Sequence, residues 1–277
     1  MLQYYQYCSV LTIAGSDSGG GAGIQADLKT FAALGCYGTS AITAITAQNT
    51  LGVTDIHVIP PAMVQNQISA VMSDIRPLAV KIGMLPNAET VQAVADALKK
   101  YEPLPIILDP VISSSSGKQL ANNEALLAMK ELLFPMVTLL TPNLNETTQL
   151  TGKHAGNVDD MINAAEALLD LGSQAVLVKG GHLDGLELYN VYADRQGVRK
   201  TFDYPFINSL NTHGTGCTLA SAIAAYIARG QSITEAIASA GVYVNIAIKE
   251  GQNVKTGEGS GPLNHFFKPR KLAKLNS

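Results

Sequence analysis

Short runs of apolar residues alternate along this chain with segments whose apolar positions recur every three or four residues. The first pattern predicts buried strands and the second predicts helices packed on them. Residues 10–14 read as a strand entering a glycine-rich loop, 15–23, with a helix at 24–34. The alternation continues with a strand at 37–47, a helix at 62–75, a strand at 79–82, a helix at 88–100 and a strand at 106–108. Further on it predicts a helix at 124–133, a strand at 137–140, a helix at 163–171 and a strand at 175–178. Residues 188–193 and 198–202 suit a hairpin, and helices at 218–228 and 234–249 close the pattern. Such β-α alternation predicts an α/β fold with a doubly wound, mostly parallel sheet. With no repeat, low-complexity stretch or linker in view, residues 1–277 are expected to form a single domain.

Composition agrees with that picture. The chain is 47% hydrophobic with no Trp and only 6% aromatic residues, so its core must be aliphatic, as suits strands covered on both faces. A net charge of -3 gives no electrostatic footprint for nucleic acid or an anionic membrane. The basic cluster Lys268, Arg270, Lys271 and Lys274 reads as a solvated tail. Cys8, Cys36 and Cys217 show neither a disulfide framework nor zinc spacing, which points to a reducing, cytoplasmic setting. Residues 1–7 do not have the build of a signal peptide, and no transmembrane helix is expected.

In an open parallel sheet, ligands bind beyond the carboxyl ends of the strands. Ser16, Asp17, Gln48, Asn49, Met84, Asp109, Asn143, Glu146 and Lys179 all fall at predicted strand ends. The segment His213-Gly214-Thr215-Gly216-Cys217-Thr218 opens a helix, where unpaired N–H groups and the helix dipole favour an anion. Cys217 in that first turn is expected to have a lowered pKa. Asp109 and Glu146 suit Mg2+ held partly through water and phosphates, and Lys179 could reach a transferring phosphoryl group. The loop 15–23 lacks both a Walker A ending and a Rossmann fingerprint in register; its glycines let backbone approach a small flat ligand. Asp27 either bonds an amino group of that ligand or complements its own helix dipole.

Taken in order, AGSDSGGGAGIQADLK (14–29), Thr46-Ala47-Gln48-Asn49-Thr50, Lys81-Ile82-Gly83-Met84 and Leu108-Asp109-Pro110-Val111 resemble one known family. The same holds for Thr141-Pro142-Asn143-Leu144-Asn145-Glu146, Val178-Lys179-Gly180-Gly181-His182 and Asn211-Thr212-His213-Gly214-Thr215-Gly216-Cys217. The set resembles the hydroxymethylpyrimidine/phosphomethylpyrimidine kinases of thiamine biosynthesis, members of the ribokinase-like superfamily. The resemblance implies a ribokinase-like three-layer sandwich. It also implies transfer of the ATP γ-phosphate to 4-amino-5-hydroxymethyl-2-methylpyrimidine and then to its monophosphate. By matching motifs, Gln48 binds the pyrimidine edge, Asp27 and Gly15 lie nearby, and Met84 and Val111 pack on the ring. The resemblance further implies that Asn143, Lys179 and Thr215 serve ATP, that Asp109 and Glu146 serve Mg2+, and that Gly214, Gly216 and Cys217 form the catalytic anion hole. Cys217 stands where sugar kinases of the superfamily carry an aspartate base, and it either takes the acceptor proton or positions the hydroxyl. A homodimer is expected from the superfamily, with small-molecule pyrimidine and ATP as partners.

The family's Gly-His-Gly-Pro is Gly259-Ser260-Gly261-Pro262 here, a segment expected on the nucleotide side. Tyr4, Tyr5 and Tyr7 lie outside the motifs and read as a surface or subunit contact. Segments 112–117 and 182–186 are lid candidates. A pyridoxal kinase of the same fold, with one catalytic cysteine, is the nearest alternative, and a non-catalytic pyrimidine-binding protein is the alternative of another class. The amide of Gln48 favours the aminopyrimidine, because it both donates and accepts along one edge.

Overall fold

The predicted alternation folds into one nine-stranded mixed sheet in the computed structural model, which describes residues 4–101, 103–114, 117–181 and 187–276. The strands in chain order are β1 (Tyr5–Tyr7), β2 (Ser9–Asp17), β3 (Tyr37–Asn49), β4 (Gly52–Val58), β5 (Ala79–Ile82), β6 (Ile106–Leu108), β7 (Leu139–Leu140), β8 (Ala175–Lys179), β9 (Glu187–Asp194), β10 (Arg199–Pro205) and β11 (Lys274–Asn276). The helices are α1 (Gly23–Ala33), α2 (Pro61–Asp74), α3 (Ala88–Leu98), α4 (Asn123–Ala128), α5 (Leu144–Thr151), α6 (Val158–Leu169), α7 (Thr215–Ala228) and α8 (Ile233–Gly251). Across the sheet the order is β10-β9-β8-β7-β6-β5-β2-β3-β4. The six strands from β8 to β3 pair in parallel, and antiparallel β4 and the β9–β10 hairpin flank them.

Strand parity sorts the apolar core into two halves. Leu11 and Ile13 of β2, Val80 and Ile82 of β5, and Val176 and Val178 of β8 pack with residues of α2–α6. Their neighbours Val10, Ala79, Ala175 and Leu177 pack with α1, α7 and α8. This is the three-layer, ribokinase-like α/β sandwich, and burying each Val, Leu or Ile contributes about 1.5–3 kcal/mol.

Several local expectations needed correction. The polar strand β4 and the short helix α5 were not predicted, nor was the β1–β11 pair. The helix expected at 124–133 is regular only to Ala128; a wide π turn and a 3-10 turn containing Pro135 follow, since proline has no N–H to continue a helix. Helix α6 begins five residues earlier than predicted, capped by the Asn157 side chain. The side chains of the basic C-terminal cluster are exposed as expected, but its backbone is anchored. Arg270 N–H donates to the Ala33 carbonyl, and Lys274 lies in β11 with Nζ 5.6 Å from the centre of the Tyr5 ring. Tyr5 and Tyr7 are exposed as expected, and Tyr7 stacks with Tyr37. Among the described residues no helix is long and apolar enough to cross a membrane.

Candidate active site

A cavity of about 1050 Å³ opens at the carboxyl ends of β2, β3, β5, β6, β7 and β8. Twelve of the thirteen site residues singled out from the sequence line it: Gly15, Gln48, Met84, Asp109, Val111, Asn143, Glu146, Lys179, Gly214, Thr215, Gly216 and Cys217. Asp27 is the exception. It is fully buried on α1, where Thr12, Ser221 and Lys81 all bond its carboxylate, Lys81 at 2.9 and 3.0 Å. The expectation that Asp27 meets the ligand is therefore corrected, because its side chain lies behind the sheet end and its oxygens are committed inside. Of the lid candidates, Ser115, Ser116 and residues 182–186, which include His182, lie outside the described residues.

The N-terminus of α7 forms one wall of the cavity, where its first N–H groups and helix dipole suit an anion. Gly214 caps it at φ 83°, a left-handed conformation that favours glycine. A Cβ there would meet the Gly21 carbonyl at 1.9 Å, so the two glycine loops touch backbone to backbone. Gly216 keeps space open differently: a Cβ on it would lie 3.3 Å from Lys179 Nζ and 3.5 Å from Asp109 Oδ2. Cys217 is half-buried beside these groups. Burial pushes its thiol up to about 11, and the Asp27 and Asp109 carboxylates add to this against the pull of Lys81 and the Gly23 N–H. The expected lowering is thus reversed, since desolvation outweighs the helix terminus.

Opposite stands a charged cluster. Lys179 Nζ bonds Asp109 Oδ1 at 2.5 Å, and Thr141 Oγ1 lies 3.3 Å from the same oxygen. Burial pulls the Lys179 ammonium down, but Asp109 and Glu146 overcome it and hold the pKa above its ordinary value. Asn143 and Glu146 form a capping box at the start of α5: each side chain accepts the other's backbone N–H, at 2.9 and 2.7 Å. Burial raises the Glu146 carboxyl to about 7, Lys179 opposes this, and Asp109 reinforces it. A buried carboxylate held at the edge of ionisation, beside a second carboxylate, suits a divalent cation. Two carboxylates with phosphate oxygens and water are a donor set that Mg2+ accepts.

The first glycine loop and the end of β3 line the other side of the cavity. Asp17 accepts N–H groups from Gly19, Gly21 and Ala22 at 2.8–3.0 Å and lies 3.0 Å from His213 Nε2. The Gln48 amide touches the same His213 nitrogen at 3.2 Å and Thr46 Oγ1 at 3.1 Å. Gly15 lies flat against Met84, whose sulfur would be 2.9 Å from any Cβ there. The segment with Ser260 packs beside this loop: Gly261 O accepts the His213 N–H, and Ser260 lines a recess with Gln48 and Thr50. Sequence reasoning missed His213 and Lys81 as site residues and named Asp17 only as a strand-end residue. A histidine next to the glycine cradle and a lysine inside an otherwise apolar strand, Lys81, were both usable signals.

A strand-end cavity with an anion-binding helix start, a lysine and paired carboxylates defines a small-molecule kinase of the ribokinase-like class, a phosphotransferase. The phosphomethylpyrimidine kinase family model matches residues 17–264. The chain is 49% identical over 94% of its length to the thiamine biosynthesis bifunctional protein ThiED of Geobacter sulfurreducens, of which it spans only 52%. It is 46% identical to a hydroxymethylpyrimidine/phosphomethylpyrimidine kinase of Rhizobium meliloti, covering 93% of this chain and 97% of that one. A solved structure of the pyridoxal kinase of Staphylococcus aureus with AMP-PCP and pyridoxal superposes with a TM-score of 0.84 at 35% identity, covering 97% of this chain and 98% of that one. The chain belongs to the phosphomethylpyrimidine kinase family.

Proposed function

We propose that the protein transfers the γ-phosphate of ATP to 4-amino-5-hydroxymethyl-2-methylpyrimidine, and then phosphorylates the monophosphate to the diphosphate, for thiamine biosynthesis. The observation that carries this reading is the meeting, in one cavity, of the Gln48–Met84–Val111 acceptor end with the α7 anion hole and Lys179. As the acceptor oxygen bonds the phosphorus, the bond to the ADP oxygen breaks. The α7 N–H groups and Lys179 stabilise the charge that spreads over the phosphoryl oxygens. Asp109 holds Lys179 in place, and Asn143 and Thr215 face the nucleotide. Asp109 and Glu146 would hold Mg2+, which neutralises phosphate charge when bound. Because the Cys217 thiol stays protonated at neutral pH, its role is to position the hydroxyl, whose proton leaves late. Residues 1–277 as a single domain, a homodimer and a cytoplasmic setting belong to the same reading.

The test is ATP consumption with Mg2+ in the presence of the pyrimidine, its monophosphate or pyridoxal. Turnover on both pyrimidines with pyridoxal much slower is expected. Preference for pyridoxal overturns the substrate assignment, and inactivity on all three, with pyrimidine still bound, leaves a binding protein.

A further inference from the structure

Counting donors and acceptors around Gln48 fixes which way its amide faces. Asp17 is ionised in a ring of three backbone N–H donors, so it stands toward His213 as an acceptor. His213 Nε2 therefore carries the proton that meets it. The Gln48 amide atom 3.2 Å from that same nitrogen must then be an acceptor, its oxygen. At the other end Thr46 Oγ1 donates its only proton to the Ser16 carbonyl at 2.8 Å. It offers Gln48, 3.1 Å away, lone pairs alone, so the amide atom there must be the nitrogen. With nitrogen toward His213 and oxygen toward Thr46, donor would face donor and Thr46 would need two protons. Turning the amide over about its last bond satisfies both ends. Two neighbours on different elements thus demand one orientation: Oε1 toward His213 and Nε2 toward Thr46.

We propose that Asp17 and His213 are positioning residues that lock the Gln48 amide so that the site takes a 4-aminopyrimidine and refuses its 4-oxo counterpart. This rests on the pyrimidine kinase reading above. The hydroxymethyl carbon is next to the ring carbon bearing the amino group, and ring N3 lies beyond. In the pyrimidine kinase reading the hydroxymethyl group turns toward Cys217, and His213 stands four residues before it on the same chain segment. The amide end nearer His213 therefore meets the amino N–H and must accept; the farther end meets N3 and must donate. A 4-oxo ring reverses the pattern, with a carbonyl beside the hydroxymethyl and N3–H beyond. Binding it would require the amide to turn over, leaving His213 and Thr46 mismatched. A two-bond polar contact of this kind discriminates by about 100-fold.

The experiment compares kcat and KM for the 4-amino acceptor and its 4-oxo analogue in the native enzyme, Asp17→Asn and His213→Ala. Equilibrium binding of the two analogues lacking the hydroxyl is measured alongside, with ATP binding and thermal melting as checks of folding. The native enzyme is expected to prefer the amino compound by about 100-fold, and His213→Ala to shrink this below about tenfold. That loss should appear in KM for the pyrimidine, with KM for ATP unchanged. If Asp17→Asn fails to fold, His213→Ala decides. A native ratio near one, or an undiminished ratio in a folded variant, overturns the proposal. Native enzyme that binds ATP but neither pyrimidine overturns the pyrimidine reading itself, and does so before any variant is made.

Discussion

At the scale of single residues, burial decides chemistry that position alone does not. Cys217 was legible in the sequence as the unusual member of a glycine-rich helix start, yet its protonation state was not. The carboxylates and apolar walls that raise its pKa come from α1, β6 and the sheet, far away in sequence. Carbamidomethylation of Cys217 by iodoacetamide should stay slow through pH 8 and accelerate only above about pH 10, as read by mass spectrometry of the tryptic peptide. Cys217→Ala, by loosening the position of the hydroxyl, should lower kcat by about 100-fold with little change in KM for ATP. Full turnover in both Cys217→Ala and Cys217→Ser would remove the residue from the chemistry. His265 makes a second case. Its Nε2 lies 3.0 Å from Thr218 Oγ1, which donates to the Gly214 carbonyl, so it braces the anion hole from behind. Burial, with help from Lys29, lowers its pKa to about 4. The unfolded chain binds this proton near pH 6.5 and the folded one resists it until about pH 4, so stability falls as pH drops through that window. Urea titrations should show a loss of up to roughly 3 kcal/mol across it, and the slope should flatten in His265→Asn.

Elements divide the two glycines at the start of α7 into different roles. Gly214→Ala forces a side chain into a left-handed residue and against the Gly21 carbonyl, and should destabilise the protein measurably by thermal melting. Gly216 sits inside α7, where alanine is a better helix former by about 1 kcal/mol. Its methyl would crowd Lys179 Nζ, so Gly216→Ala should fold as well as the native protein yet lose most of its phosphoryl transfer in the coupled assay. The elements best read from sequence were those with a buried face, such as β5 and β6, predicted to the residue. β4 escaped because neither of its faces is fully buried and its pattern carries no apolar stripe. α5 escaped for another reason. Its only strong signal is the Asn143-x-x-Glu146 capping box, and those two residues had been assigned to ATP and Mg2+. The same pair that starts the helix lines the cavity.

On the scale of the whole molecule, one buried ion pair joins the layers under the site. Lys81 on β5 meets Asp27 on α1, and Ser221 on α7 donates to that carboxylate, so sheet and two helices share one polar knot. Lys81→Met leaves the Asp27 charge unpaired and should cost about 3–5 kcal/mol by urea denaturation; Lys81→Met with Asp27→Leu should recover part of it. The layered architecture was legible because parity along each strand is a local property. The knot was not, because it depends on which helix lands on which strand.

The pairing of β2 with β3 slips at one point: Ala14 lies opposite Ile42 but Ser16 opposite Ile45, which leaves one extra residue on β3. Before the slip Thr39, Ala41 and Thr43 are buried; after it burial passes to Ala44 and Thr46, and Gln48 continues the even-numbered set. Which side chains reach the cavity is thus governed by arithmetic as well as by side-chain identity. Were β3 to pair without the slip and keep all its residues, Ala47 and Asn49 would turn inward and Gln48 out, so one extra residue decides which side chains the cavity presents while every lining residue stays the same.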